Sequence, residues 1–138
     1  MYQYKRKIAY HETDKMGVTH HSNYIKFLEE ARVDFLDEIG CPYSKLENEK
    51  VVSPVVEVLC KYKNTTTFDD TILVGISIKE YSGVKLVFEY EIINEKTNKL
   101  VMNAKTTHCF TNEKGKIVSL KNDFPHIDKI LADKLLEA

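Results

Sequence analysis

Asp14 lies seven residues ahead of His21 in the stretch His11-Glu12-Thr13-Asp14-Lys15-Met16-Gly17-Val18-Thr19-His20-His21, the most polar and least periodic run near the N-terminus. A helical period begins just after it, at Ser22. A helix start presents free backbone N–H groups and a partial positive charge, which suits an anion or an oxygen that becomes one in a transition state. A loop of this length can fold back and set the Asp14 carboxylate near those groups. A carboxylate facing an oxyanion pocket can attack a carbonyl itself or take a proton from water, which is the chemistry of acyl transfer. The stretch also holds His11, Asp14, His20 and His21, all of metal-ligating type, but their spacing fits no zinc pattern and no metal is expected. Glu29 falls at the edge of the helix's polar side and reads as solvated. His108 reads as a strand residue satisfied by a hydrogen bond.

Those residues need elements to position them. Residues 2–10 alternate, with Tyr2, Tyr4, Arg6, Ile8 and Tyr10 on one face, which predicts a strand. From Ser22 to about Ile39 the period is 3.6, and Gly40 with Pro42 stops it. Tyr24, Ile25, Phe27, Leu28, Ala31, Phe35, Leu36 and Ile39 fill about half of this helix's circumference, wider than a surface stripe, so a curved sheet is expected to embrace it. Arg32 and Glu38 intrude on that apolar arc. Strands are predicted from Val51 to about Lys63, with Pro54 marking a bulge or an edge. Further strands follow over Ile72–Ile78, Val84–Ile92 and Leu100–Phe110, with turns at Ser82-Gly83 and Asn94 to Asn98. A last short strand is predicted over Lys116–Leu120, then a helix opened by Pro125. One long helix against an antiparallel sheet of about five strands is an α+β layer architecture.

Composition bounds the rest. The chain has 138 residues, a single domain's worth, and 43% of them are hydrophobic. Its net charge of −1 argues against a nucleic-acid partner, which calls for a basic excess. No apolar run exceeds three residues, so no membrane span or signal core is expected. Cys41, Cys60 and Cys109 have no paired spacing and read as reduced thiols of a cytoplasmic protein.

The block Tyr10-His11-Glu12-Thr13-Asp14-Lys15-Met16-Gly17-Val18-Thr19-His20-His21-Ser22-Asn23-Tyr24 resembles the signature of the 4-hydroxybenzoyl-CoA thioesterase family, which includes the small Tol-Pal-associated thioesterase. Phe27-Leu28-Glu29-Glu30-Ala31-Arg32, Val55-Val56-Glu57-Val58, Phe68-Asp69-Asp70 and Thr107-His108-Cys109-Phe110 extend the likeness along nearly the whole chain. The resemblance implies a hot-dog fold and hydrolysis of an acyl-CoA thioester, with Asp14 as nucleophile or general base. It implies that the His21 backbone N–H polarises the thioester carbonyl and that Tyr10 lines the same pocket. Gly17 and Val18 would let the loop approach the acyl group. His20, Tyr24, Thr65 and Thr66 would border the substrate. It further implies a homodimer or tetramer, with the site between subunits. No bound cofactor is implied, because CoA enters as part of the substrate. The chain departs from the family at Thr65-Thr66-Thr67, where many members carry proline, alanine and a basic residue. Lys15 also replaces a residue that is often small, and a cation there favours the ionised carboxylate. Two other readings are a non-catalytic acyl-CoA-binding module and a thioesterase acting on acyl carrier protein. A hot-dog hydratase is a further one, but its paired His and Asp motif is not found.

Overall fold

Five strands pair in the order β1-β3-β4-β5-β2, every neighbouring pair antiparallel. They are β1 (Tyr2–Lys7), β2 (Val55–Tyr62), β3 (Thr71–Tyr81), β4 (Lys85–Asn94) and β5 (Leu100–Cys109). The structure is a computed structural model that describes residues 1–137. Four helices accompany the sheet: α1 (Ser22–Glu38), α2 (Tyr43–Asn48), α3 (Leu120–Asp123) and α4 (Pro125–Leu136). None of the described helices is long and apolar enough to cross a membrane.

α1 is the centre of the core, as its wide apolar arc predicts. Phe27, Leu28, Ala31 and Phe35 are buried against the inward residues of the sheet, among them Ile72, Val74, Ile76, Phe88 and Tyr90. Ile25, counted in the same arc, stays exposed, as does Glu38. Arg32 is buried and donates from Nη1 to the Tyr90 hydroxyl at 3.2 Å, which accounts for its place on the apolar side. The predicted alternation holds in β3, β4 and β5: Met102, Ala104, Thr106 and His108 all face inward. The strand expected from Val51, with Pro54 inside it, starts only at Val55, because Val52 pairs with Thr111 as an isolated bridge and Pro54 lacks an N–H; β2 is both a sheet edge and bulged between Val55 and Glu57.

Three elements differ from expectation. The first strand ends at Lys7, because Ile8 turns aside to exchange hydrogen bonds with Asp70 and Asp69. Tyr10 therefore sits on a 3₁₀ turn, Tyr10–Glu12, rather than in a strand. Residues 116–120 form no named strand. Val118 N–H reaches the Phe110 carbonyl, and Ser119 then caps α3 by accepting from Asn122 N–H, which ends the extended run. α2 was not expected; its six residues are too few to print a period, though Leu46 is fully inside the core.

Candidate active site

The loop between the 3₁₀ turn and α1 is a tight hairpin. Thr13 and Thr19 bridge, Asp14 N–H donates to the Val18 carbonyl at 2.9 Å, and Gly17 N–H returns to the Asp14 carbonyl at 3.0 Å. The turn requires φ +79° at Gly17, a conformation that disfavours a Cβ. Asp14 Oδ1 accepts from Met16 N–H at 2.8 Å, which fixes the half-buried carboxylate at the hairpin tip. The Lys15 side chain is exposed.

The hairpin is fastened on two sides. Glu12 is buried; its carboxylate accepts from Arg6 at 2.6 Å and from Ala9 N–H at 2.7 Å. Its carbonyl accepts from His20 N–H and from the Asn23 side chain at the start of α1. Burial opposes the charge of Glu12, but Arg6 and the Ala9 N–H outweigh it and hold the carboxyl below the usual range. On the other side, Val18 bridges Thr67, whose hydroxyl donates to the Gly17 carbonyl at 2.7 Å. Thr19 N–H donates to the Thr66 carbonyl at 2.8 Å.

At the start of α1, His21 is the N-cap residue and its own side chain caps nothing, while the His20 ring accepts the Ser22 N–H at Nδ1 at 3.2 Å. The His21 N–H has no hydrogen-bond acceptor among the described residues, so it is free to meet an incoming oxygen. The neighbouring His20 ring holds Ser22 through its hydroxyl at 2.8 Å and stacks on the His21 ring. A cavity of about 430 Å³ opens here, lined by Thr19, His21, Tyr24, Tyr62, Lys63, Asn64 and Thr65. The Tyr62 hydroxyl donates to the His21 carbonyl at 3.4 Å, and burial pushes this phenol up to about 12, so it keeps its proton at neutral pH. A larger groove of about 520 Å³ runs along Lys26, Glu29, Val33 and Asp37 on the solvent side of α1. Its backbone N–H groups are already spent inside the helix, so it offers no oxyanion donor.

Of the residues expected at the site, His21, Tyr24 and Thr65 line the cavity together. Thr66 is buried beneath it, hydrogen-bonded to Tyr24 and Thr19. Asp14, Gly17 and Val18 belong to the adjoining hairpin and are not in the cavity lining. Tyr10 is exposed and packs edge-on against Phe68 at 5.6 Å. Sequence reading missed Thr19, Tyr62, Lys63 and Asn64. Thr19 lies inside the Tyr10 to Tyr24 block, whereas Tyr62 to Asn64 reach the cavity only through the pairing of β2 with β5. Among the described residues, no three His, Cys, Asp or Glu side chains are grouped to hold a metal ion.

Residues 8–134 match the thioesterase-like superfamily. The chain is similar to a DHNA-CoA thioesterase from Staphylococcus aureus, at 30% identity over 95% of this chain and 88% of that one, with a TM-score of 0.90. It is similar to a hypothetical protein from Aquifex aeolicus at 34% identity over 95% and 99% of the two chains, with a TM-score of 0.87. It is also 27% identical to the acyl-CoA thioesterase YbgC of Haemophilus influenzae, over 80% of each chain. The likeness makes the helix-in-sheet architecture a hot-dog fold. The match is to the superfamily as a whole.

Proposed function

The chain belongs to the thioesterase-like superfamily and is a thioester hydrolase, and from that premise we propose that it cleaves acyl-CoA thioesters at the junction of the Asp14 hairpin and α1. The observation that carries the reading is that His21, whose N–H has no acceptor among the described residues, lines a cavity beside the hairpin that carries Asp14. The thioester carbonyl oxygen points at that N–H, where the helix dipole favours developing negative charge. Asp14 takes a proton from water as the water oxygen attacks the carbonyl carbon, or it attacks that carbon itself. By the first route the tetrahedral oxyanion collapses with cleavage of the C–S bond, CoA thiolate leaves, and the free acid remains; by the second the same cleavage leaves the acyl group on Asp14 as an anhydride, which water then hydrolyses to the free acid and the regenerated carboxylate. Lys63 is a cation on the cavity wall, placed to favour a substrate that carries phosphates.

The active form is a dimer, and the basis is the contrast between the two sheet edges. β1 turns Gln3, Lys5 and Lys7 outward, which protects that edge. β2 instead exposes Val55, Val56, Val58, Leu59 and Tyr62 beside unpaired backbone, an edge that calls for another strand. A second copy joined there extends the sheet and brings another subunit's surface to the cavity next to Tyr62. The enzyme works in the cytoplasm and binds no cofactor of its own.

The test is release of free thiol from a panel of CoA esters, from short aliphatic to benzoyl and 4-hydroxybenzoyl, with the folded protein. Turnover on any member is the expected result, and the best substrate identifies the acyl pocket. Tight binding of the esters without turnover means a binding module. Turnover only when the acyl group is on a carrier protein moves the substrate to that class.

A further inference from the structure

Tyr24, Thr66 and Thr19 form a chain of three hydroxyls, 3%, 2% and 6% exposed, that ties together the parts of the site. Tyr24 belongs to the first turn of α1, Thr66 to the connection between β2 and β3, and Thr19 to the hairpin. The Tyr24 hydroxyl lies 2.8 Å from Thr66 Oγ1, and Thr66 Oγ1 lies 2.7 Å from Thr19 Oγ1. Thr19 Oγ1 is also 3.2 Å from the Thr66 carbonyl, which accepts the Thr19 N–H as well. Each hydroxyl has one proton to give. One polarity satisfies every contact: Tyr24 donates to Thr66, Thr66 to Thr19, and Thr19 to the Thr66 carbonyl. Burial raises the Tyr24 phenol, so it stays a donor at neutral pH.

We infer that Thr66 is a positioning residue for the reaction: its hydroxyl sets the distance between the Asp14 hairpin and the start of α1 without touching the substrate. The inference rests on the acyl-CoA reading above. Thr66 Oγ1 is enclosed and engaged on both sides, so it has nothing to offer a ligand. Thr19, which it holds, is two residues from His21 and bridges Thr13, the neighbour of Asp14. Loss of the central hydroxyl loosens the carboxylate and the oxyanion donor relative to each other, while the cavity wall at Tyr62, Lys63 and Asn64 stays in place. Binding is then retained and the chemical step suffers.

The experiment compares Thr66→Val, Thr66→Ser, Tyr24→Phe and the Tyr24→Phe/Thr66→Val double variant in steady-state kinetics on the best CoA ester, with amide hydrogen exchange in parallel. The expected result for Thr66→Val is a kcat lower by roughly 10–10²-fold at unchanged KM, the scale of a small misplacement of reacting groups. Thr66→Ser restores kcat, Tyr24→Phe falls in the same direction, and the double variant is no worse than Thr66→Val, because both changes cut one chain. The amides of Asp14 and Thr19 exchange faster in Thr66→Val, and those of Ile76 and Tyr90 do not change. An unaltered kcat, a kcat loss that Ser does not restore, or a change confined to KM overturns the inference. If Thr66→Val fails to fold, Tyr24→Phe and Thr66→Ser carry the comparison. If the wild-type protein turns over no ester, the thioesterase reading has failed, and the exchange of the hairpin amides alone decides whether Thr66 positions them.

Discussion

A second buried polar chain runs beneath α1 from Arg32 to His108. Arg32 donates to the Tyr90 hydroxyl, Tyr90 lies 2.6 Å from Thr106 Oγ1, and Thr106 Oγ1 lies 2.8 Å from His108 Nε2. A guanidinium can only donate, so the protons run outward from it and the chain ends on a neutral imidazole that accepts at Nε2. Burial and the Arg32 charge lower His108 from 6.5 to about 4. A group whose folded pKa lies below its unfolded one stabilises the fold above the unfolded value and loses that contribution as pH falls through the folded one. Stability therefore declines as pH drops from 6.5 toward 4. His108→Gln, which keeps an acceptor but cannot titrate, flattens that limb in a plot of Tm against pH, and an unchanged slope contradicts the assignment. The sequence announced half of this. His108 reads as a hydrogen-bonded strand residue, and Nε2 is, but Nδ1 and Arg32 Nε have no partner among the described residues. Arg32 stood out on the helical wheel. Its partner Tyr90, 58 positions away, could only come from tertiary packing.

At the scale of elements, β1, the 3₁₀ turn and α1 are joined by one cation. Arg6 meets Glu12 at 2.6 Å and Glu30 at 2.9 Å and lies over the Phe27 ring at 4.1 Å. Removing it with Arg6→Met leaves Glu12 buried and charged without its counter-ion. That loss is expected to cost about 3 kcal/mol in denaturant unfolding. Glu12→Gln costs less, because no charge is then stranded. Equal effects of the two changes would contradict this account of the anchor. The alternation of Tyr2, Tyr4 and Arg6 was readable because a strand repeats every two residues. The end of the strand was not, since Ile8 leaves the ladder for Asp70, a contact set by the whole chain. Pro54 announced a bulge or an edge, because a missing N–H restricts where a strand can pair, and β2 has both, though it begins only after the proline. Residues 116–120 failed as a strand because Ser119 found a helix to cap.

At the scale of the whole molecule, the apolar edge of β2 predicts self-association. Val56→Lys together with Val58→Lys puts charge on that edge and is expected to give a monomer by light scattering, with turnover lost as the second subunit leaves the cavity. A dimer that persists with full activity places the interface elsewhere. The fold class was legible because one helix with an unusually wide apolar arc has few ways to be covered. The Asp14 to His21 block was legible as a possible acyl-transfer site because a carboxylate, a turn glycine and a helix start fall within one loop. The wall formed by Tyr62, Lys63 and Asn64 was hidden, since it arrives from the far edge of the sheet.

The most direct test of the account is the pair of values kcat and ester affinity for Asp14→Asn, an isosteric change that leaves the Met16 N–H an acceptor but removes the base. The expected result is a kcat lower by roughly 10³-fold, the scale of general-base catalysis, with CoA-ester binding and dimer intact. Turnover that survives in Asp14→Asn would contradict it and move the chemistry away from the hairpin.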